Sequence, residues 1–247
     1  MIAVERNMKR ERKLAAVIFD FDGVIVDTEP LHFAAFRDIL QAKALAFTWE
    51  EYVSVYLGFD DRDVFREAFK RGGRVLSNSE LSELMRAKAR LFQELAEQKG
   101  ADPFPGVLPL IKSLAKKVPL ALCSGAVKSD IQPILRRLKL DRAFDAVVTA
   151  EDVSASKPDP ASYVLALKRL ARAFPSGGVV AERGVAIEDT PAGIAAAKGA
   201  GLRVLALSNS YAPAKLNEAD RVVPSLKKIM KCDLERLVER ADVDSNQ

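Results

Sequence analysis

Residues 19–24 read Phe-Asp-Phe-Asp-Gly-Val and continue an apolar run that begins at Ala15. A short, nearly continuous apolar run is typical of a buried parallel strand, and open α/β sheets bind ligands beyond the carboxyl ends of such strands. Asp20 and Asp22 lie at that end. Two neighbouring carboxylates are costly unless a cation neutralises them or one holds a proton, so the pair predicts a metal site or an acid–base pair. The alternative is a solvated Asp-x-Asp-Gly turn.

Three further segments repeat this pattern of a strand-like run that ends in polar residues. The runs are residues 119–123, 144–150 and 184–187. Because the carboxyl ends of parallel strands meet at one edge of a sheet, we expect the polar residues that follow them to lie near Asp20 and Asp22. Those residues are Ser124, Gly125, Ala126, Lys157, Glu188 and Asp189.

The chemistry of these residues points to an anionic ligand and a cation. The hydroxyl of Ser124 and the backbone N–H groups before the helix-like stretch 127–138 suit an anion. The ammonium group of Lys157 suits a phosphate oxygen. Glu188 and Asp189 bring two more carboxylates to the same edge.

The pattern of helix-like and strand-like segments predicts one interrupted α/β domain. Segments alternate from residue 107 onward, down to strand-like runs at 203–207 and 221–223, which favours a Rossmann-like doubly wound parallel sheet. Between the first strand and residue 104 only helical spacing is found, at 30–44, 63–69 and 79–98. We therefore expect a catalytic core of residues 1–29 and 105–247, and an inserted all-helical cap of residues 30–104.

These motifs, in this order, resemble those of haloacid dehalogenase superfamily hydrolases. Residues 20–28 resemble the first motif, Ser124 the second, Lys157 the third and 188–189 the fourth, so the resemblance spans nearly the whole chain. It implies the subgroup with a helical cap after the first motif. The run 27–32 and the run from Glu188 to Gly193 are similar to those of beta-phosphoglucomutase and its phosphatase relatives.

The resemblance implies a mechanism and a cofactor. Asp20 is the expected nucleophile, which forms an aspartyl-phosphate that water hydrolyses, and Asp22 is the expected general acid and base. Magnesium is the expected cofactor, held by Asp20, the backbone carbonyl of Asp22 and Asp189, with Glu188 as a direct or indirect partner. The residues expected to bind the phosphoryl oxygens are Ser124, Gly125, Ala126 and Lys157.

Asp22 also discriminates among reactions within the superfamily. A dehalogenase expels halide, which needs no protonation, and the dehalogenases and phosphonate-cleaving enzymes that this chain resembles lack the second acid. The presence of Asp22 therefore favours phosphate esters as substrates.

Within the predicted cap, four residues are candidates for substrate recognition. Lys88 interrupts the apolar stripe of its helix, so it either extends past its neighbours to water or points toward the phosphate-bearing crevice. His32 matches the position of a cap histidine in the resembling mutases, although a lone helical histidine is commonly structural. Gly58 and Arg62 resemble a glycine-to-arginine cap loop, but here the loop is one residue longer, which weakens the case for a second phosphate contact.

Three functions follow from these features. The leading hypothesis is a magnesium-dependent phosphatase for a small phosphorylated metabolite such as a sugar phosphate. The alternative is a phosphosugar mutase of the beta-phosphoglucomutase type, and a remote alternative is a non-catalytic module that carries a phospho-aspartate as a signal. Receiver-like modules of that last kind lack a helical cap and are much shorter than this chain.

Composition excludes several other classes. In 247 residues, of which 49% are hydrophobic, no run approaches the roughly 18 apolar residues of a membrane span. Residues 1–13 lack the apolar centre of a secretory signal, and two cysteines form no disulfide framework, so we expect a cytoplasmic protein. The net charge of +4 comes from dispersed basic residues, and the basic segment 9–13 reads as a solvated tail. We expect a monomer that binds no nucleic acid and no membrane.

Overall fold

The computed structural model describes residues 14–57, 59 and 61–239, which belong to two compact units. The first comprises Met1–Asp27 and Asp102–Gln247, and the second comprises Thr28–Ala101. The sequence predicts a cap of residues 30–104, whereas the second unit ends at Ala101. It ends there because Asp102–Pro103 pair with Val26–Asp27 of the first unit. The basic segment 9–13 and Gly58, both singled out from the sequence, lie outside the described residues.

The first unit is built on a parallel sheet. The strands of this unit are β1 (Ala16–Phe19), β2 (Val26–Asp27), β3 (Asp102–Pro103), β4 (Leu120–Cys123), β5 (Ala146–Val148), β6 (Gly184–Glu188), β7 (Arg203–Leu207) and β8 (Arg221–Val223). Strands β2 and β3 form a separate antiparallel ribbon. The six-stranded sheet has the order β5-β4-β1-β6-β7-β8, and each neighbouring pair is parallel. The prediction of a doubly wound parallel α/β sheet is confirmed.

Helices join these strands and form most of the second unit. They are α1 (Glu29–Gln41), α2 (Asp61–Arg71), α3 (Asn78–Lys99), α4 (Val107–Leu114), α5 (Lys128–Arg137), α6 (Ala161–Ala173), α7 (Pro191–Gly199) and α8 (Lys231–Glu239). A short helical turn, Trp49–Glu51, continues into a π-helix at Tyr52–Tyr56, and 3₁₀ turns occur at Ala150–Asp152, Ala181–Arg183 and Pro213–Leu216.

The central strands are apolar because helices flank the sheet. Every residue of β1, β4 and β6 is buried. Helix α6 packs against β4 and β5, and α7 packs against β7. Burial on both faces accounts for the continuous apolar runs by which these strands were predicted.

Thr190 followed by Pro191 favours the start of a helix in the sequence, and helix α7 begins there. Thr190 is its N-cap and accepts a hydrogen bond from the N–H of Gly193 at 3.0 Å, while Pro191 occupies the first helical position. Because the helix begins so soon after β6, Glu188 and Asp189 are held at the carboxyl edge of the sheet.

The second unit has its own aromatic core. Its described residues form helices and turns, and no strand occurs among them. Phe36, Phe65 and Phe69 are at most 1% exposed and pack with Leu40 and Tyr52. The unit therefore buries enough apolar surface to form a compact body of its own.

Candidate active site

The topology of the sheet brings the predicted residues together. Strand β1 lies between β4 and β6, with Phe19 in register with Leu122 and Ile187. The next residue on each strand therefore falls at one edge, so Asp20 lies close to Glu188. Lys157 reaches the same point from the loop between β5 and α6, and all of these residues belong to the first unit.

Lys157 is the centre of this cluster. Its Nζ lies 2.6 Å from Asp20 Oδ1 and 2.6 Å from Glu188 Oε1, and its side chain is 15% exposed. Burial alone would lower the pKa of Lys157, but the two carboxylates outweigh it and raise that pKa above its ordinary value. Lys157 therefore remains cationic at neutral pH.

Glu188 is fully buried and has hydrogen bonds on both of its oxygens. Oε1 accepts from Lys157 and from the hydroxyl of Tyr163, each at 2.6 Å. Oε2 accepts from the N–H of Asp189 at 3.1 Å and from the hydroxyl of Thr190 at 3.3 Å. These contacts fix the carboxylate, which in turn holds the ammonium group of Lys157 beside Asp20.

Asp189 is held on one oxygen only. Oδ2 accepts a hydrogen bond from the hydroxyl of Ser210, whereas Oδ1 is buried and accepts none from the described part of the chain. Burial, and to a lesser extent the nearby charge of Glu188, raise the pKa of Asp189 to about 7. Gly23, at φ +79°, packs directly on this carboxylate, since a Cβ at residue 23 would lie 1.9 Å from Oδ2.

The residues present fit a divalent cation. Asp20, Glu188 and Asp189 each offer a carboxylate oxygen, and these atoms lie within 4.8 Å of one another. Burial raises the pKa of Asp20 well above its ordinary value despite the opposing effect of Lys157. Three carboxylates face one ammonium group, so the cluster lacks the positive charge to balance all of them, and Asp189 Oδ1 has no competing donor among the described residues. A hard cation with oxygen ligands satisfies both conditions.

Asp22 follows β1, and the segment Ser124 to Ala126 follows β4. Asp22 is half-buried and contributes to the raised pKa of Asp189. Ser124 is buried, and its Oγ accepts a hydrogen bond from the N–H of Ala126 at 2.9 Å. The Ala126 amide is thus engaged within the turn, while Gly125 is exposed.

Three residues of the site were not predicted from the sequence. Tyr163 supports Glu188, Ser210 binds Asp189, and Asn209 Nδ2 donates to the carbonyl of Gly23 at 2.7 Å. Ser210 and Asn209 carried a usable signal, because they follow the strand-like run 203–207 just as the other polar segments follow theirs. Tyr163 lies in an ordinary helical sequence and carried no such signal.

Lys88 is buried within the second unit. It is 2% exposed, and its Nζ lies 2.7 Å from His32 Nδ1 and 2.7 Å from Asp61 Oδ1. The ammonium group also lies over the rings of Phe36 and Phe92, at 5.0 and 5.1 Å from their centroids. The side chain therefore does not extend into water, which was one of the two alternatives for this residue.

His32 is neutral in this arrangement. Burial lowers its pKa well below the ordinary value, and the charge of Lys88 lowers it further. Since an ammonium group only donates, His32 Nδ1 accepts the hydrogen bond from Lys88 and the proton of the neutral ring lies on Nε2. Asp61 was not predicted as a member of this group, and Arg62 beside it is exposed.

The fold and this cluster define a class of protein: a doubly wound α/β enzyme core with a carboxylate–lysine site and a helical insert after the first strand. The family model for haloacid dehalogenase-like hydrolases matches residues 17–207, and the chain belongs to that family. The predictions of the superfamily and of a hydrolytic enzyme are confirmed.

Individual relatives are similar over most of the chain. The phosphorylated carbohydrates phosphatase of Thermotoga maritima is 35% identical over 195 residues, which cover 76% of this chain and 82% of the relative. The crystal structure of a CbbY variant from Rhodobacter sphaeroides with xylulose-(1,5)-bisphosphate has a TM-score of 0.74 at 26% identity and covers 87% and 96% of the two chains. Beta-phosphoglucomutase from Clostridium difficile, with a TM-score of 0.74, 23% identity and coverage of 93% and 99%, shares the fold.

Within the described ranges, every helix is too short or too polar to cross a bilayer.

Proposed function

We propose that this protein is a magnesium-dependent phosphatase that hydrolyses a small phosphorylated carbohydrate through an aspartyl-phosphate on Asp20. The observation that carries the proposal is the position of Lys157, which donates hydrogen bonds to both Asp20 and Glu188 beside carboxylates that fit a divalent cation. The name of the Thermotoga relative, a phosphorylated carbohydrates phosphatase, supports the substrate class.

In the first step, Asp20 attacks phosphorus, so that a bond from its carboxylate oxygen forms as the ester P–O bond breaks. Like charges oppose this attack, and Lys157 offsets charge on both the nucleophile and the phosphoryl group. Asp22 donates a proton to the departing oxygen, which leaves as an alcohol. Proton transfer of this kind contributes roughly 10²–10⁴-fold in rate.

In the second step, Asp22 removes a proton from water as the water attacks the same phosphorus. The bond between Asp20 and phosphorus breaks, and inorganic phosphate leaves. Ser124 and the exposed turn at Gly125 bind phosphoryl oxygens in both steps. A divalent cation held by Asp20, Asp189 and the Asp22 carbonyl, with Glu188 as a direct or indirect partner, supplies charge neutralisation when bound.

We also propose that the cluster of Lys88, His32 and Asp61 in the second unit recognises the carbohydrate part of a substrate with one phosphate. The ammonium and the carboxylate neutralise each other, and His32 is uncharged, so the cluster as a whole carries no net charge. Such a group suits hydroxyl groups, which both donate and accept, better than a second phosphate dianion. This favours hydrolysis of a monophosphate over the mutase alternative, which requires that a bisphosphate be bound.

Phosphate release tests the proposal directly. The purified protein should release inorganic phosphate from members of a panel of sugar monophosphates, phosphoglycolate and nucleotides in the presence of Mg²⁺, and lose this activity with chelator. Activity that chelator leaves unchanged would contradict the cation assignment. If beta-glucose 1-phosphate is converted to glucose 6-phosphate without free phosphate, the protein is a mutase.

Replacing Lys88 by Met should impair recognition of the sugar more than the chemistry. Loss of a charged hydrogen-bonding group costs about 1.5–3 kcal/mol, so we expect kcat/KM for the best sugar phosphate to fall by about 10-fold or more. Hydrolysis of an aryl phosphate, which lacks sugar hydroxyls, should change much less. Steady-state kinetics on both substrates measure the difference.

The control for this variant is Lys99→Met, which removes an exposed lysine from the end of the same helix, α3. It should leave kcat/KM for both substrates unchanged. An equal loss on sugar and aryl phosphates in Lys88→Met would show that Lys88 supports the fold of the cap and not recognition of the sugar.

A further inference from the structure

The residues that follow β7 reach the acidic cluster from a strand that the proposed mechanism does not use. The hydroxyl of Ser210 donates to Asp189 Oδ2, and Asn209 Nδ2 donates to the carbonyl oxygen of Gly23 at 2.7 Å. Both contacts lie within the first unit. They connect one short turn to the two segments that carry Asp22 and Asp189.

The hydrogen bond from Ser210 fixes the orientation of the Asp189 carboxylate. The terminal torsion of an Asp side chain has a broad energy well, so the plane of the carboxylate needs an external contact to fix it. Ser210 engages Oδ2, and Oδ1 is left buried without a hydrogen-bond donor from the described residues. Oδ2 of Asp189 is thus hydrogen-bonded to the protein, and Oδ1 is available to bind a ligand.

Gly23 confines the same carboxylate from another direction. An added Cβ at residue 23 would lie 1.9 Å from Asp189 Oδ2 and 2.4 Å from its Cγ, so the carboxylate packs on the bare Cα. The hydrogen bond from Asn209 holds the carbonyl of Gly23, and with it the backbone that supports this contact. The carboxylate is therefore fixed by a hydrogen bond on one side and by close packing on the other.

We propose that Asn209 and Ser210 are positioning residues that set Asp189 Oδ1 as a ligand for a divalent cation. The inference rests on the proposed function in that the cation is the one the hydrolytic site would use. Ser210 acts through Asp189, and Asn209 acts through the backbone at Gly23. Groups that orient metal ligands in this way typically contribute 10–100-fold to metal affinity.

Binding of Mn²⁺ to the phosphate-free protein tests the inference without turnover. Titration of the full chain with Mn²⁺, with the free ion followed by electron paramagnetic resonance, should give a Kd about 10–100-fold weaker for Ser210→Ala than for the unaltered protein. Ser210→Thr keeps the hydroxyl and should restore the affinity. Asn209→Ala, which acts less directly, should weaken binding by a smaller factor.

Ser208→Ala is the matched control, because it makes the same substitution two residues earlier, at a side chain that is likewise half-buried. Its Mn²⁺ affinity should equal that of the unaltered protein. Melting temperatures without metal should agree among the variants, which separates positioning from loss of fold.

The possible outcomes distinguish this inference from the proposed function. Equal Mn²⁺ affinity in Ser210→Ala and the unaltered protein would overturn the positioning role while leaving the phosphatase proposal intact. Weaker affinity that Ser210→Thr does not restore would also overturn it. If the unaltered protein releases phosphate but binds no Mn²⁺ and needs no Mg²⁺, the inference fails together with the cation assignment, whereas the hydrolytic activity stands.

Discussion

Asp20→Asn should reduce phosphate release by at least about 10⁴-fold, the scale on which removal of a catalytic nucleophile slows an enzyme. The amide keeps the size of the side chain but is a far weaker nucleophile than the carboxylate. It also removes one of the two anions that contact Lys157. Steady-state phosphate release with saturating Mg²⁺ and the best substrate from the panel measures this loss.

A covalent-trapping experiment separates the nucleophile from the general acid and base. Asp22→Asn should slow both steps by roughly 10²–10⁴-fold and still form the covalent intermediate. Rapid acid quenching followed by intact-mass analysis should therefore detect one added phosphoryl group on Asp22→Asn and none on Asp20→Asn. Full activity in Asp20→Asn, or a phosphoryl group attached elsewhere, would contradict the proposed mechanism.

Much of the core could be predicted because its signals are local. The buried strands read as apolar runs, and the predicted runs 203–207 and 221–223 coincide with β7 and β8. Once the strands are parallel, the residues after them must meet at one edge, which is why Asp20, Lys157 and Glu188 were expected to lie near one another. Thr190 and Pro191 identified the start of α7, because threonine is favoured at the N-cap and proline at the first helical position.

The contacts that depend on tertiary packing were not predicted. Nothing in the sequence near Lys88 identifies Asp61, 27 residues away, as its partner, because that contact depends on how three helices pack. The segment 49–56 is short and partly π-helical, so it lacks the 3.6-residue pattern by which the longer helices were found. Ser210 is a different case, since the pattern that found the other site residues also applied to it.

Lys157→Met should cause the largest loss of stability among the single substitutions considered. The ammonium group contacts two buried carboxylates, Asp20 and Glu188, and removal of one partner from a buried ion pair typically costs about 3–5 kcal/mol. Methionine fills a similar volume, so the loss reports on charge more than on packing. Activity should fall as well, because the attacking carboxylate and the phosphoryl group lose the cation between them.

Denaturant unfolding of Lys157→Met with and without Mg²⁺ tests this electrostatic account. If the loss arises from uncompensated carboxylates, a bound divalent cation should offset part of it, so the difference from the unaltered protein should be largest with chelator and smaller with Mg²⁺. Lys168→Met, which removes an exposed lysine from α6, should change the free energy of unfolding by no more than about 0.5 kcal/mol under either condition. A loss in Lys157→Met that Mg²⁺ leaves unchanged would show that the lysine stabilises the core by packing, and that its charge is not what balances Asp20, Glu188 and Asp189.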